Sequence, residues 1–332
     1  MLCWTHAYDD LGRSGLEVSK IAFGTWQLGG DWGAFDEDTA IAAIHHARAL
    51  GVNFFDTAQA YGRGRSEVLL GRALRTEKDV VVATKGGINP RAQRPRDSRR
   101  AWLTQGLDES LRNLERDHID VYQVHWPDPD TPAADVAGLL QEFVDAGKVR
   151  HVGVSNYDAA QLAAFDETRP VETLQPPYHL FRRGIETDPL PYAREHDIGV
   201  VVYSPLGSGL LTGAFTPDST FETTDWRSRS SAFQGDNLRR NLQIVDELTA
   251  FAAQRDVEVG QLAIAWTLAR PGVHAAIVGP RRPRHIEASL AAADITLTPE
   301  DLAEIDRIAA GAVQIAGAAP EGVAWSTVDR LT

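Results

Sequence analysis

Cysteine is almost missing from this chain: Cys3 is the single one in 332 residues, so no disulfide can close within it. The crosslinked frameworks of small secreted domains are therefore excluded, and a reducing, cytoplasmic setting is the expectation. Cys3 reads as a bystander near the start of the chain, not as a nucleophile. Long apolar runs are missing too: none approaches the ~18 residues that a membrane-spanning helix needs. The opening residues, MLCWTHAYDD, lack a basic segment followed by an apolar one, so no signal peptide is expected. Positive charge is in deficit, with 33 Lys and Arg against 46 Asp and Glu, a formal net charge of −13. That balance speaks against nucleic acid and against anionic membranes as partners, since both are bound through basic patches. The densest basic stretch, Arg91 to Arg100, has no aromatic residues among its arginines, and a solvated loop is its plainer reading.

What the chain does have is alternation. Short apolar, β-branched runs occupy residues 20–23, 52–55, 80–83, 119–124, 149–154, 171–174, 198–203 and 275–278. Between them, apolar positions recur every three or four residues, as in 39–50, 98–114, 134–146 and 237–254, which is a helical period. Ser98 stands where a cap of the third helix belongs, and Gly51 and Gly147 where C-terminal glycines belong. The strand runs are continuously apolar, as expected of a parallel sheet covered by helices. Eight β-then-α units predict one closed (β/α)8 barrel, a TIM barrel, spanning 1–332 as a single domain. An open doubly wound sheet is the alternative, weakened because no GxGxxG opens a helix after a strand. Residues 8–18 predict a hairpin plugging the barrel floor. Residues 204–236 form an unusually long connection, which is usually functional. A helix over 299–310, capped at Thr298, follows the last unit.

In such barrels the chemistry sits at the C-terminal ends of the strands. Strand two ends in Asp56, strand three in Lys85 and strand four in His125, and Tyr61 follows Asp56 in a short loop. Each alone has a plain explanation: a helix-capping Asp, a surface Lys, a buried and satisfied His. Together they put a carboxylate, an ammonium and an imidazole at one mouth, and burying such charges unpaired costs several kcal/mol, so stability alone does not call for them. A metal is not expected, because Pro127 and Pro129 make a rigid loop around Asp128 and Asp130 beside His125. The neighbouring His45 and His46 point to different faces of a helix and read as structural or exposed. Trp26, Trp32 and Trp126 belong to loops at the same mouth and predict an aromatic pocket for apolar or aromatic carbonyl compounds.

The stretches GRSGLEVSKIAFGTWQLGG, GVNFFDTAQAYGRGRSEVLLGRAL, VVVATKGG, IDVYQVHWPD, GKVRHVGVSNY, LQPPYHLF and VVYSPLGSGLLTG together resemble the aldo-keto reductase family over nearly the whole chain. The wording HWPDPDTP and QPPYHLFRR is nearer to its bacterial members than to the mammalian aldose-reductase type. The resemblance implies reduction of small carbonyl compounds by NADPH, with Asp56, Tyr61, Lys85 and His125 as the catalytic tetrad. A free tyrosine, with a pKa near 10, is too weak an acid at neutral pH, and a neighbouring ammonium favours its phenolate. It further implies that Ser155, Asn156 and Gln175 hold the nicotinamide carboxamide and that Tyr203 stacks on the ring. Gly24, Thr25 and Trp26 would flank the cofactor, and Ser204, Leu206 and Ser208 would cradle its pyrophosphate. Gly279, Arg281, Arg282, His285 and Ser289 would take the adenosine phosphate end. Where the family often carries Glu-Asn for the adenine, this chain has Ala288 and Ser289, so adenine recognition is expected to be weaker or made differently. NADH stays open as an alternative cofactor, as does a cofactor-binding regulatory barrel with little turnover; a Schiff-base aldolase using Lys85 is a third reading. The assembly is expected to be a monomer or a small homo-oligomer.

Overall fold

In the computed structural model, which describes residues 8–30, 35–89, 95–223 and 225–315, the eight apolar runs become eight parallel strands. They are β3 (Ile21–Gly24), β4 (Phe54–Asp56), β5 (Val81–Gly86), β6 (Ile119–Val124), β7 (Val149–Ser155), β8 (Thr173–Gln175), β9 (Gly199–Tyr203) and β10 (Ala275–Val278). Each pairs with the next, and β10 pairs with β3, so the barrel closes and the open sheet is excluded. The two faces of the strands belong to two separate apolar clusters. Ala22, Phe54, Ala83, Val121 and Val201 pack with one another, while their chain neighbours Phe23, Phe55, Val82, Tyr122 and Val202 pack against the helices. That is the period-2 alternation of a strand buried on both sides, and it explains why the runs read as continuously apolar.

The covering helices are α1 (Glu37–Ala49), α2 (Arg65–Ala73), α3 (Arg100–Leu114), α4 (Ala133–Asp145), α5 (Ala159–Asp166), α6 (Pro189–Glu195), α7 (Gly235–Ala253), α8 (Val259–Leu268), α9 (Pro283–Leu290) and α10 (Pro299–Ala309). Gly51 and Gly147 end α1 and α4 in the left-handed conformation, at φ 97° and 72°. In both, the next residue's N–H reaches back to the last turn, Val52 to Ala47 O at 3.0 Å and Lys148 to Phe143 O at 3.1 Å. This capture of Val52, with Asn53 tied to Ser19 and Glu17, delays the start of β4 to Phe54. Thr298 caps α10 with a reciprocal bond from Asp301. Ser98 does not cap α3: Arg99 is the residue before the helix, and the buried Ser98 hydroxyl finds no partner among the described residues. Its N–H donates instead to Asp128 Oδ2 at 2.8 Å.

The predicted hairpin forms from β1 (Tyr8–Asp10) and β2 (Glu17–Ser19) and closes the N-terminal end of the barrel. Leu11 and Val18 pack, fully buried, with the barrel's inner residues, and Gly12 lies against Ile198 and Gly199. Among the described residues no helix is long and apolar enough to cross a membrane.

Candidate active site

Asp56, Lys85 and His125 stand at the C-terminal ends of β4, β5 and β6, so barrel closure alone brings them together. The Lys85 ammonium is buried and donates to Asp56 Oδ1 at 2.6 Å and to Thr57 O at 2.8 Å. A third donor points at Tyr61 Oη, 3.4 Å away. An ammonium only donates, so the Tyr61 oxygen accepts here. Asp56 Oδ2 receives Gln175 Nε2 at 2.8 Å and Gln123 Nε2 at 3.5 Å. The buried carboxylate is thus held by an ammonium and two amides. The His125 ring meets Tyr61 edge-on at 5.7 Å. Burial, with the Lys85 charge second, holds its pKa well below the ordinary imidazole value. His125 Nδ1 finds no partner among the described residues, which fits a neutral ring whose other nitrogen carries the proton.

Tyr61 is placed by a tight loop. Gly62 takes φ 57° and lies so close to the Gly29 carbonyl that a Cβ would collide with it. Behind the loop, the first turn of α2 grips three strands through residues with no exposed surface. Ser66 Oγ bonds Thr25 Oγ1 at 2.6 Å and Thr57 Oγ1 at 3.0 Å. Glu67 accepts from Thr84 Oγ1 at 2.7 Å and Asn113 Nδ2 at 3.0 Å, and burial raises its pKa. Thr84 precedes Lys85 in β5, so this helix ties the loop of the phenol to the strand of the ammonium.

A cleft of about 340 Å³ runs from this group across the barrel mouth, lined among others by Gly24, Thr25, Trp26, Gln175, Tyr203, Ser204, Leu206, Ser208, Gly279, Arg281 and His285. Eleven of the fifteen sequence-predicted cofactor residues therefore share one surface. Of the rest, Ser155 Oγ donates to Gln175 O at 2.8 Å, and Asn156 Nδ2 donates to His125 O at 3.0 Å. Tyr203 Oη donates to Asn156 Oδ1 at 2.8 Å. Arg282 and Ser289 do not line the cleft; the Ser289 hydroxyl donates to His285 O within α9. Trp26 stacks on Tyr61 at 6.1 Å. Trp126 lines a second cleft with Asn156, Tyr157 and Ile185, and Trp32 lies outside the described residues. His45 bonds Ala73 O and His46 bonds Glu287 at the surface, as expected of structural histidines. Among the described residues no cluster of His, Cys, Asp or Glu could hold a metal.

The cleft reaches both Tyr61 and the pair Arg281 and His285, and the His285 pKa is lowered by partial burial first and by the nearby Arg284, Arg282 and Arg281 charges next. Between them, Ser204 and Ser208 take φ 58° and 57°, turning the chain sharply beneath the groove. Sequence reasoning missed Gln27, packed on Gly279, and Arg227, which also lines the cleft. Arg227 comes from the long connection. Asp225 grips it at 2.6 Å, and its guanidinium lies over Phe221 at 4.6 Å and reaches Ser208 O at 3.2 Å. Phe215, Phe221 and Phe233 pack edge-on as a trio beneath that segment.

A family model described as the Aldo/keto reductase family matches residues 20–310. The chain is 39% identical over 307 residues to the protein named Aldo-keto reductase YhdN of Bacillus subtilis (strain 168), covering 91% of this chain and 93% of that one. It is 33% identical to a protein named probable voltage-gated potassium channel subunit beta of Arabidopsis thaliana, covering 91% and 96%. Among solved structures, that of the glycerol dehydrogenase AKR11B4 from Gluconobacter oxydans superposes with a TM-score of 0.85 at 36% identity, covering 96% of this chain and 99% of that one.

Proposed function

Because the chain belongs to the aldo/keto reductase family, and so to the oxidoreductases acting on carbonyl and alcohol groups, we propose that it reduces aldehydes and ketones with NADPH, using Tyr61 as the proton donor. The observation that carries this reading is the buried Lys85 ammonium set between Asp56 and the Tyr61 hydroxyl, beside a cleft that also reaches Arg281 and His285. When bound, the reduced nicotinamide supplies the hydride that adds to the carbonyl carbon. Negative charge then gathers on the carbonyl oxygen, and positioned donors stabilise it. Tyr61 gives that oxygen its proton. Lys85 stabilises the phenolate left behind, while Asp56 and Thr57 O hold the ammonium in place. His125, neutral, donates an N–H to the same oxygen and fixes its direction. Solvent returns the proton to Tyr61.

In this reading Ser155, Asn156 and Gln175 meet the carboxamide and Tyr203 the ring face. Ser204, Leu206, Ser208 and Arg227 surround the pyrophosphate. Arg281, beside His285, reads the 2′-phosphate and sets the preference for NADPH over NADH. The chain acts as one domain in the cytoplasm on a small-molecule carbonyl substrate.

A steady-state assay following NADPH consumption with 4-nitrobenzaldehyde tests the reading, and turnover is the expected result. Tight NADPH binding without turnover across a broad carbonyl panel would favour a regulatory role, a reading kept in view by the relative named as a channel subunit. Lys85 is too firmly engaged to serve as a Schiff-base nucleophile, and borohydride is expected to trap no substrate on it.

A further inference from the structure

Beyond Gly86, the connection after β5 doubles back on itself. Ile88 pairs with Arg96 as an antiparallel bridge, Asn89 N–H donates to Pro95 O at 2.7 Å, and Asp97 N–H donates to Gly87 O at 2.9 Å. Arg96 is thereby fixed across from a residue three positions past Lys85. Ile88 and Trp126 are buried and pack as a small cluster with Ala60, the neighbour of Tyr61, and Tyr203. This cluster is the apolar wall beside the tetrad, and Trp126 directly follows His125. The Arg96 guanidinium lies 4.7 Å from the centre of the Trp126 ring.

The local carboxylates do not answer this cation. Asp97 is held by Arg99, at 2.7 and 2.8 Å, and by Asn89. Asp128 accepts from the N–H groups of Ser98 and Asp130 and from Thr131 Oγ1. Among the described residues Arg96 forms no ion pair, although the chain has 46 Asp and Glu. Trp126 Nε1, on the ring beneath it, is buried without an acceptor among the described residues. A half-buried guanidinium supported by a π face alone, beside an unanswered indole N–H, is a pair of donors lacking an anion.

We propose that Arg96 is a specificity-determining residue, and that the preferred substrates are aldehydes or ketones carrying a carboxylate, which Arg96 binds across the face of Trp126. This rests on the carbonyl reductase reading and names its substrate class. A charge-assisted bond from a guanidinium to a carboxylate is among the stronger polar contacts available at such a rim.

The test compares 4-carboxybenzaldehyde with its methyl ester, which are alike in ring and aldehyde and differ in charge. With NADPH, the wild-type enzyme is expected to favour the acid in kcat/KM. Arg96→Gln should lower kcat/KM for the acid by about 10-fold or more, mainly through KM, while the ester changes little. Arg96→Lys should keep most of the preference. Ester turnover by each variant reports that the site is still folded. Equal changes for acid and ester, or no wild-type preference for the acid, would overturn the assignment while leaving the reductase reading intact. Failure of the wild-type enzyme to turn over either aldehyde would remove both.

Discussion

The two ends of this barrel are built on opposite principles. At the floor, the hairpin fills the opening with Leu11 and Val18, and the polar groups of its turn are satisfied by backbone: Arg13 reaches the carbonyls of Asp197 and His196. At the mouth, the interior positions carry Asp56, Lys85 and His125, and buried atoms such as His125 Nδ1 and Trp126 Nε1 lack partners among the described residues. The same strands thus end in a sealed apolar plug on one side and in polar groups poised for a visitor on the other. Stability and chemistry are separated by the length of a strand.

Substitutions at each end sharpen that contrast. The largest expected effect is on turnover at the mouth: Tyr61→Phe should lower kcat by on the order of 10²–10⁴ with the NADPH Kd little changed, measured by steady-state kinetics and fluorescence titration. Comparable turnover would remove Tyr61 as the acid. At the floor, Leu11→Ala should cost about 2–5 kcal/mol of stability in a denaturant titration while kcat per folded molecule stays close to wild type. A selective loss of kcat there would break the separation. A smaller effect is expected from Arg281→Ala, which should weaken NADPH about 10-fold or more and NADH much less. Equal weakening would mean that Arg281 does not read the 2′-phosphate. The smallest effect is an absence. A free imidazole becomes charged as pH falls through about 6.5, but burial of His125 delays this to lower pH. Its ring therefore stays neutral, and kcat/KM should show no acidic limb from it between about pH 6 and 7.5. A limb near 6.5 that disappears in His125→Gln would contradict the buried, neutral ring.

The barrel was legible because buried parallel strands leave continuous apolar runs, and the tetrad because strand ends converge at a known face. Strand limits were less so: Asn53 belongs to the hairpin's hydrogen bonds, which local apolarity does not encode. Ser66, Glu67, Thr84 and Asn113 escaped notice since polar residues on a helix or strand read as solvent-facing, and only tertiary pairing makes them interior. Arg227 escaped because the connection carrying it has no period; Phe215, Phe221 and Phe233, spread over nineteen positions, organise it. Arg282, the residue before α9, and Ser289, near its end, do not line the cleft, and neither a residue's place after β10 nor a family position encodes which way its side chain faces.

The amide of Gln175 carries one more consequence. A carboxylate can only accept, so the nitrogen faces Asp56, and its second hydrogen is directed to Gln123 Oε1 at 3.4 Å. Only the carbonyl oxygen of that side chain is left to greet a newcomer. In its proposed role Gln175 would therefore recognise an NH₂ and ignore a C=O, so a pyridine ring bearing acetyl in place of the carboxamide should find that position indifferent to it.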